Sequence, residues 1–217
     1  MIDRIISKET KSNVANYLMQ IKAIKLDPAE PFTWASGWKS PIYCDNRKIN
    51  SYPKIRTYIR QCLTNAVIDM YGKPDVIAGV ATGAIPQGAL VAQELGLPFI
   101  YVRAKAKDHG LENLIEGFYE EGQSVVVIED LISTGQSSLN AVKALRAGGC
   151  VVKGMVSIFN YGFEVAKENF EAENCDVVSL TDYDTLISIA TETGFVQKKY
   201  INSLSEWRIN PANWKAK

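Results

Sequence analysis

One histidine stands among the 217 residues, and the four cysteines (Cys44, Cys62, Cys150, Cys175) form no CxxC pair. A Cys/His zinc cluster is thereby excluded, and the thiols read as reduced and buried. Neither sign of charge is in excess: Lys plus Arg is 24 and Asp plus Glu is 24, a formal net charge of zero. A non-specific nucleic-acid footprint needs a basic surplus, so no nucleic-acid partner is expected. No hydrophobic run approaches a bilayer span, and the opening "MIDRIISKETKSNV" has no apolar signal core. No membrane association is therefore expected, and a cytoplasmic location is. Two common phosphate motifs are also missing: there is no GxxxxGK(S/T), and no GxGxxG followed by a ribose-binding acid. That disfavours an ordinary kinase or dinucleotide enzyme. Internal repeats, low-complexity segments and linkers are absent too.

What is present suffices for a packed core, with 47% hydrophobic residues. One domain over 1–217 is expected, with an N-terminal segment (1–70) and a core with C-terminal helices (71–217). Val14, Leu18, Ile21 and Ile24 fall at helical spacing within 12–26. A second helix opens on Ser51 and Pro53 and ends at Gly72. Between them, "PFTWASGWKSPIYCDNR" is aromatic, interrupted by Gly37 and Pro41, and fits short strands and turns. From residue 75 the pattern alternates. Apolar strands at 75–80, 98–104, 123–130, 151–159 and 176–180 are separated by helices at 86–96, 137–149 and 164–172, and a last helix begins at Asp182. Uniformly apolar strands alternating with amphipathic helices imply an α/β fold: a parallel sheet flanked by helices on both faces.

The stretch "VVVIEDLISTGQSS" (125–138) concentrates the chemistry. Four apolar residues run into Glu129 and Asp130, at the carboxyl end of a strand, where open parallel sheets bind ligands. Two adjacent carboxylates can accept hydrogen bonds from a diol such as the 2′ and 3′ hydroxyls of a ribose. The residues that follow lead into a helix N-terminus, whose free N–H groups favour a phosphate. Gly135 permits close backbone approach, and Ser133, Thr134 and Ser137 add hydroxyl donors. An acid pair alone more often caps a turn. The full order of strand, acid pair, apolar pair, S-T-G-x-S and helix points to a phosphorylated sugar. "GVATGAIPQGA" (79–89) is a second strand-end loop, whose Thr82, Gly83 and Ala84 could turn amides toward another anion, although a tight turn explains it nearly as well. Residues 104–122 fit no element: they are long, charged and glycine-punctuated, as functional lids or disordered connections are. Arg103, Lys105, Lys107 and the sole histidine, His109, lie in or beside this segment.

These residues resemble the type I phosphoribosyltransferases, and among them the orotate branch. "VVVIEDLISTGQS" is similar to the family's phosphoribosyl-diphosphate signature, "RAKAKDHG" to the catalytic loop of that branch, and "FTWASGWKSPIYCDNR" to its substrate hood. The three occur in family order over 32–137. The resemblance implies transfer of a phosphoribosyl group from phosphoribosyl diphosphate to orotate, with Mg²⁺, in pyrimidine biosynthesis. It implies that Glu129 and Asp130 face the ribose hydroxyls, and that Leu131, Ile132, Ser133, Thr134, Gly135, Gln136 and Ser137 wrap the 5′-phosphate. Arg103, Lys107 and His109 then meet the pyrophosphate, with Lys107 and His109 supplied across a homodimer with shared active sites. Ser133, Tyr43 and Cys44 fall at the orotate ring. Some members carry lysines where this chain has Ala35, Gly83 and Ala104, and an arginine near Tyr161. Lys39, Arg47 or hood amides remain candidates for the orotate carboxylate. Two other readings share the signature: a purine phosphoribosyltransferase, and a non-catalytic regulator binding phosphoribosyl diphosphate. The K-D-H-G loop and hood argue against the first, and neutral net charge with the Lys107/His109 pair against the second.

Overall fold

The computed structural model describes residues 6–34, 37–104 and 114–215. Helix α1 (Lys8–Gln20) begins where the Ser7 hydroxyl accepts the Thr10 N–H at 3.1 Å. It ends earlier than the apolar spacing suggests. Lys22 takes a left-handed conformation (φ 54°), and the Ala23 N–H returns to the Leu18 carbonyl at 2.9 Å, closing the helix as a Schellman turn does. Ile24 therefore belongs not to the helix but to β1 (Ile24–Leu26). Its side chain still enters the core, which is why a helical period accommodated it.

Short strands β2 (Phe32–Thr33), β3 (Lys39–Ser40) and β4 (Ile42–Cys44) follow, with β2 antiparallel to β3 and β4 antiparallel to β1. A 3-10 turn, Asn46–Ser51, leads into α2 (Pro53–Tyr71), with proline at its start and Gly72 (φ 70°) at its end. The core then runs β5 (Val76–Val80), α3 (Ile85–Leu95), β6 (Phe99–Val102), β7 (Ile115–Glu116), β8 (Ser124–Ile132), α4 (Gln136–Ala147), β9 (Val151–Asn160), α5 (Glu164–Ala172), β10 (Val177–Asp182) and α6 (Tyr183–Glu192). A 3-10 turn, Lys198–Tyr200, precedes α7 (Ile201–Ile209).

The central sheet has the order β10-β9-β8-β5-β6-β7. Its pairs are parallel except β6 with the edge strand β7. Strand β7 lies inside the segment that sequence reasoning left structureless. Two residues are too few to show a period, but Ile115 is buried opposite Val102. Strands β8 and β10 also run two residues past their expected ends, so Glu129 and Asp130 lie inside β8 rather than at its last two positions.

Alternation along β8 divides the core. Val126 and Ile128 pack with α1, α2, α3 and α6, whereas Val125 and Val127 pack with α4 and α5. Each fully buried Val, Leu or Ile contributes about 1.5–3 kcal/mol, so both faces of the sheet are firmly covered. From β5 the chain goes outward through α3 to β6; it later returns to β8 on the other side of β5. The gap between β5 and β8 is thus the topological switch point, where loops diverge above the sheet and leave a crevice.

Candidate active site

Both loops singled out in the sequence meet at that crevice. After β5, the chain passes a cis Ala81–Thr82 peptide into α3, and the Ala81 N–H is held by the Val102 carbonyl at 2.9 Å. After β8, it passes Ser133 and Thr134 to Gly135, whose φ of 79° starts α4. The crossing point is tight. A Cβ placed on Gly83 would collide with the Asp130 carboxylate.

Glu129 is buried and Asp130 half-buried, and the two have different neighbours. Glu129 is 3% exposed. Its Oε2 accepts the Ser138 hydroxyl at 2.7 Å, tying β8 to the first turn of α4, and its Oε1 accepts the Asp130 N–H at 2.9 Å. Asp130 faces Gly83 and the hood, where the Asn46 amide donates to its carbonyl at 2.6 Å. Burial pushes the Glu129 carboxyl well above the usual carboxylate range, and the neighbouring Asp130 charge adds to the rise. Burial also raises Asp130, against its hydrogen bond with Glu129 and the smaller pull of Arg47. This is a mutually repelling pair held out of water, the environment in which a hydroxyl donor or a cation is most welcome.

The phosphate loop is fixed from behind and open in front. The Asn169 amide donates to the Thr134 carbonyl at 3.0 Å, and the Tyr161 N–H donates to the Ile132 carbonyl at 3.0 Å. No side chain caps α4 at Gly135. The first α4 amides are therefore left for an outside acceptor. Ser133 and Thr134 are half-buried, and Gln136 and Ser137 exposed.

Beside this loop lies a cavity of about 510 Å³ lined by Thr33, Trp34, Trp38, Tyr43, Cys44, Leu131, Ser133, Thr134 and Tyr161. Its aromatic wall is braced by the C-terminus. Trp207 of α7 donates from Nε1 to the Lys39 carbonyl at 3.3 Å and packs edge-on against Trp34 with centroids 5.6 Å apart. Cys44 hydrogen-bonds the Asn46 amide oxygen at 3.3 Å, and burial raises its thiol, so it stays protonated. Tyr43 is 40% exposed, at the cavity mouth. The described lining contains no lysine or arginine. Lys39 donates to the Thr33 hydroxyl at 2.7 Å, and Arg47 pairs with Asp45 at 2.6 Å.

Arg103 sits at the end of β6, its guanidinium 3.5 Å from Glu116, with a buried N–H that has no hydrogen-bond acceptor among the described residues. Lys107 and His109, like Lys105 and Ala35, lie outside the described residues. Sequence reasoning missed Asn46, Ser138, Asn169 and Trp207. The first three are small polar residues of a kind that fills any turn, and Trp207 sits in a helix whose apolar stripe is too short to read. Only their spatial neighbours reveal them.

Comparison with known proteins agrees with this geometry. A family model described as phosphoribosyl transferase domain matches residues 46–191. An orotate phosphoribosyltransferase of Bacteroides fragilis is 57% identical over 92% of this chain and 94% of its own length. One of Listeria monocytogenes is 50% identical over 94% and 98%. The crystal structure of orotate phosphoribosyltransferase from Aeropyrum pernix superposes with a TM-score of 0.73 at 27% identity, covering 85% of this chain and 99% of that one. Likeness at this level, extending over hood and core alike, makes the chain a member of the phosphoribosyltransferase family, in its orotate phosphoribosyltransferase branch.

Proposed function

We propose that this protein, as a single domain over 1–217, transfers the phosphoribosyl group of phosphoribosyl diphosphate to orotate. The products are orotidine 5′-phosphate and pyrophosphate, a step of pyrimidine biosynthesis. One observation carries the reading: Leu131, at the end of β8, and Ser133 and Thr134, in the loop entering α4, all line the aromatic cavity. A phosphorylated sugar and a flat base would thus lie in adjoining compartments of one crevice.

The residues then divide the work. The end of β8 (Leu131, Ile132) and the loop residues Ser133, Thr134, Gly135, Gln136 and Ser137 wrap the 5′-phosphate and receive it through amides and hydroxyls. Asp130 accepts the ribose hydroxyls. Glu129 faces the same diol from beneath and, through Ser138, holds the loop in place. Trp34, Tyr43 and Cys44 sandwich and edge the base, with Ser133 at its rim. Arg103, whose buried N–H has no hydrogen-bond acceptor among the described residues, takes the pyrophosphate end. Family resemblance alone adds Lys107 and His109 there. Cations preorganised at the leaving group stabilise the charge it gathers as the bond to C1 breaks, and His109 is the candidate proton donor.

Among the described residues no cluster of three or more His, Cys, Asp or Glu could hold a metal. Mg²⁺, which the family resemblance implies, keeps much of its shell on substrate oxygens. Substrate oxygens would hold most of the ion, with Asp130 the carboxylate nearest to it, and it would supply charge neutralisation for the diphosphate. A product assay with orotate, phosphoribosyl diphosphate and Mg²⁺ tests the function directly; no orotidine 5′-phosphate, or equal turnover of adenine, overturns it.

The working unit is proposed to be a homodimer whose subunits lend Lys107 and His109 to each other. Lys107→Ala and Asp130→Asn dimers should each be nearly inactive. After subunit exchange about half the dimers are mixed, each with one intact site, so about a quarter of wild-type activity returns. Confirmed exchange without recovery refutes the sharing.

A further inference from the structure

Strand β8 outruns its neighbour. The ladder from β5 ends at the pair Gly79–Ile128, so no β5 residue stands opposite Asp130. Side chains meet its peptide groups instead. The Asp130 N–H donates to Glu129 Oε1 at 2.9 Å, and its carbonyl accepts the Asn46 Nδ2–H at 2.6 Å. Backbone groups shielded from water are costly without such partners. Asn46 is 3% exposed, and the other end of its amide is also used: Oδ1 accepts the Cys44 thiol at 3.3 Å. Only one orientation of the amide serves both neighbours, because the Asp130 carbonyl needs a donor.

The support is itself anchored. Asn46 opens the 3-10 turn Asn46–Ser51. At the far end of that turn, Asn50 accepts the Gln87 amide through Oδ1 at 3.1 Å and the Arg56 guanidinium through its carbonyl at 2.8 Å. Gln87 lies in the first turn of α3, just past the loop that carries Gly83. One short turn therefore ties together both walls of the crevice, β8 through Asn46 and α3 through Asn50. The Asp130 carboxylate is packed against Gly83 with no space for a Cβ. A small shift of its peptide would press the carboxylate into that loop or draw it off the ligand, and a misplacement of about 1 Å can cost a hundredfold. We propose that Asn46 is a positioning residue for phosphoribosyl diphosphate: by holding the Asp130 peptide it sets where the carboxylate meets the ribose hydroxyls. This rests on the functional reading above. Asn46 need not touch the substrate; it acts through Asp130.

The test is a double-mutant cycle on the full chain, with dissociation constants for phosphoribosyl diphosphate measured by calorimetry in the presence of Mg²⁺. Asn46→Ala should weaken binding about tenfold when Asp130 is present. In an Asp130→Ala background the same change should weaken it less than about twofold, because the group it positions is gone. Asn46→Leu, close to asparagine in size but without the amide, should repeat both results, and melting curves show that each variant is folded. Equal weakening in the two backgrounds makes Asn46 a general support of the hood and overturns the assignment. Unchanged affinity with Asp130 present overturns it as well, since the carboxylate then keeps its place unaided, and so does failure of both Asn46 variants to fold. Wild-type protein that binds no phosphoribosyl diphosphate overturns the functional reading itself, and the assignment with it.

Discussion

Asp130→Asn should weaken phosphoribosyl-diphosphate binding by about ten- to a hundredfold, the cost of a lost charge-assisted hydrogen bond, while the fold loses nothing. The two halves of this expectation have one cause. Asp130 is a half-buried acid beside a buried one, and burial raises the pKa of both. An acid whose folded pKa lies above its unfolded value binds extra protons in the native state. Its ionisation therefore destabilises the fold progressively as pH rises from the unfolded value through the folded one. Asparagine removes that charge, and its amide can donate to Glu129. The variant's melting temperature should match or exceed wild type at pH 7–8, and the difference should shrink toward pH 4. Calorimetric titration with phosphoribosyl diphosphate and a melting series across pH measure the two halves. Unchanged affinity removes Asp130 from the ribose site; a lower melting temperature at pH 8 shows that the carboxylate is a structural support.

Gly135→Ala should damage binding and fold together. The residue has φ of 79°, and an added Cβ would stand 2.8 Å from the Phe170 ring, itself 3% exposed in the core. A left-handed non-glycine residue costs of order 1–3 kcal/mol. The ring cannot retreat without opening the packing between α4 and α5, so the loop moves instead. Moving it swings the first α4 amides away from the phosphate position and strains the link from Asn169 to the Thr134 carbonyl. Affinity for phosphoribosyl diphosphate should fall at least about a hundredfold, as several hydrogen bonds are lost at once. The melting temperature should fall by roughly 2–4 °C per kcal/mol lost. Affinity within threefold of wild type would mean the phosphate is held elsewhere.

The alternation of apolar strands and helices from Val76 onward was legible because it is local. Burial on both faces demands continuous Val, Ile and Leu in each strand, and each helix must show its own apolar stripe. The stretch from Val125 to Ser138 was legible for the same reason: strand, acids, small loop and helix start are consecutive, and each step has a chemical signature. Single residues at element ends were not. Ile24 keeps a helical interval although the chain has already turned at Lys22, and Ile115 gains its strand only by meeting Val102. The sequence by itself thus determined the α/β class, the phosphate loop and the acid pair, since periodicity and backbone chemistry act between neighbours in the chain. Tertiary structure alone decided which groups face one another: Gly83 against Asp130, Ser138 beneath Glu129, Asn46 on the Asp130 carbonyl, and Trp34, Tyr161 and Trp207 closing one cavity from three distant segments. Those meetings depend on the order in which strands join the sheet, with β5 beside β8 at the switch point. No local pattern encodes that order, because it is set by the summed burial of both sheet faces.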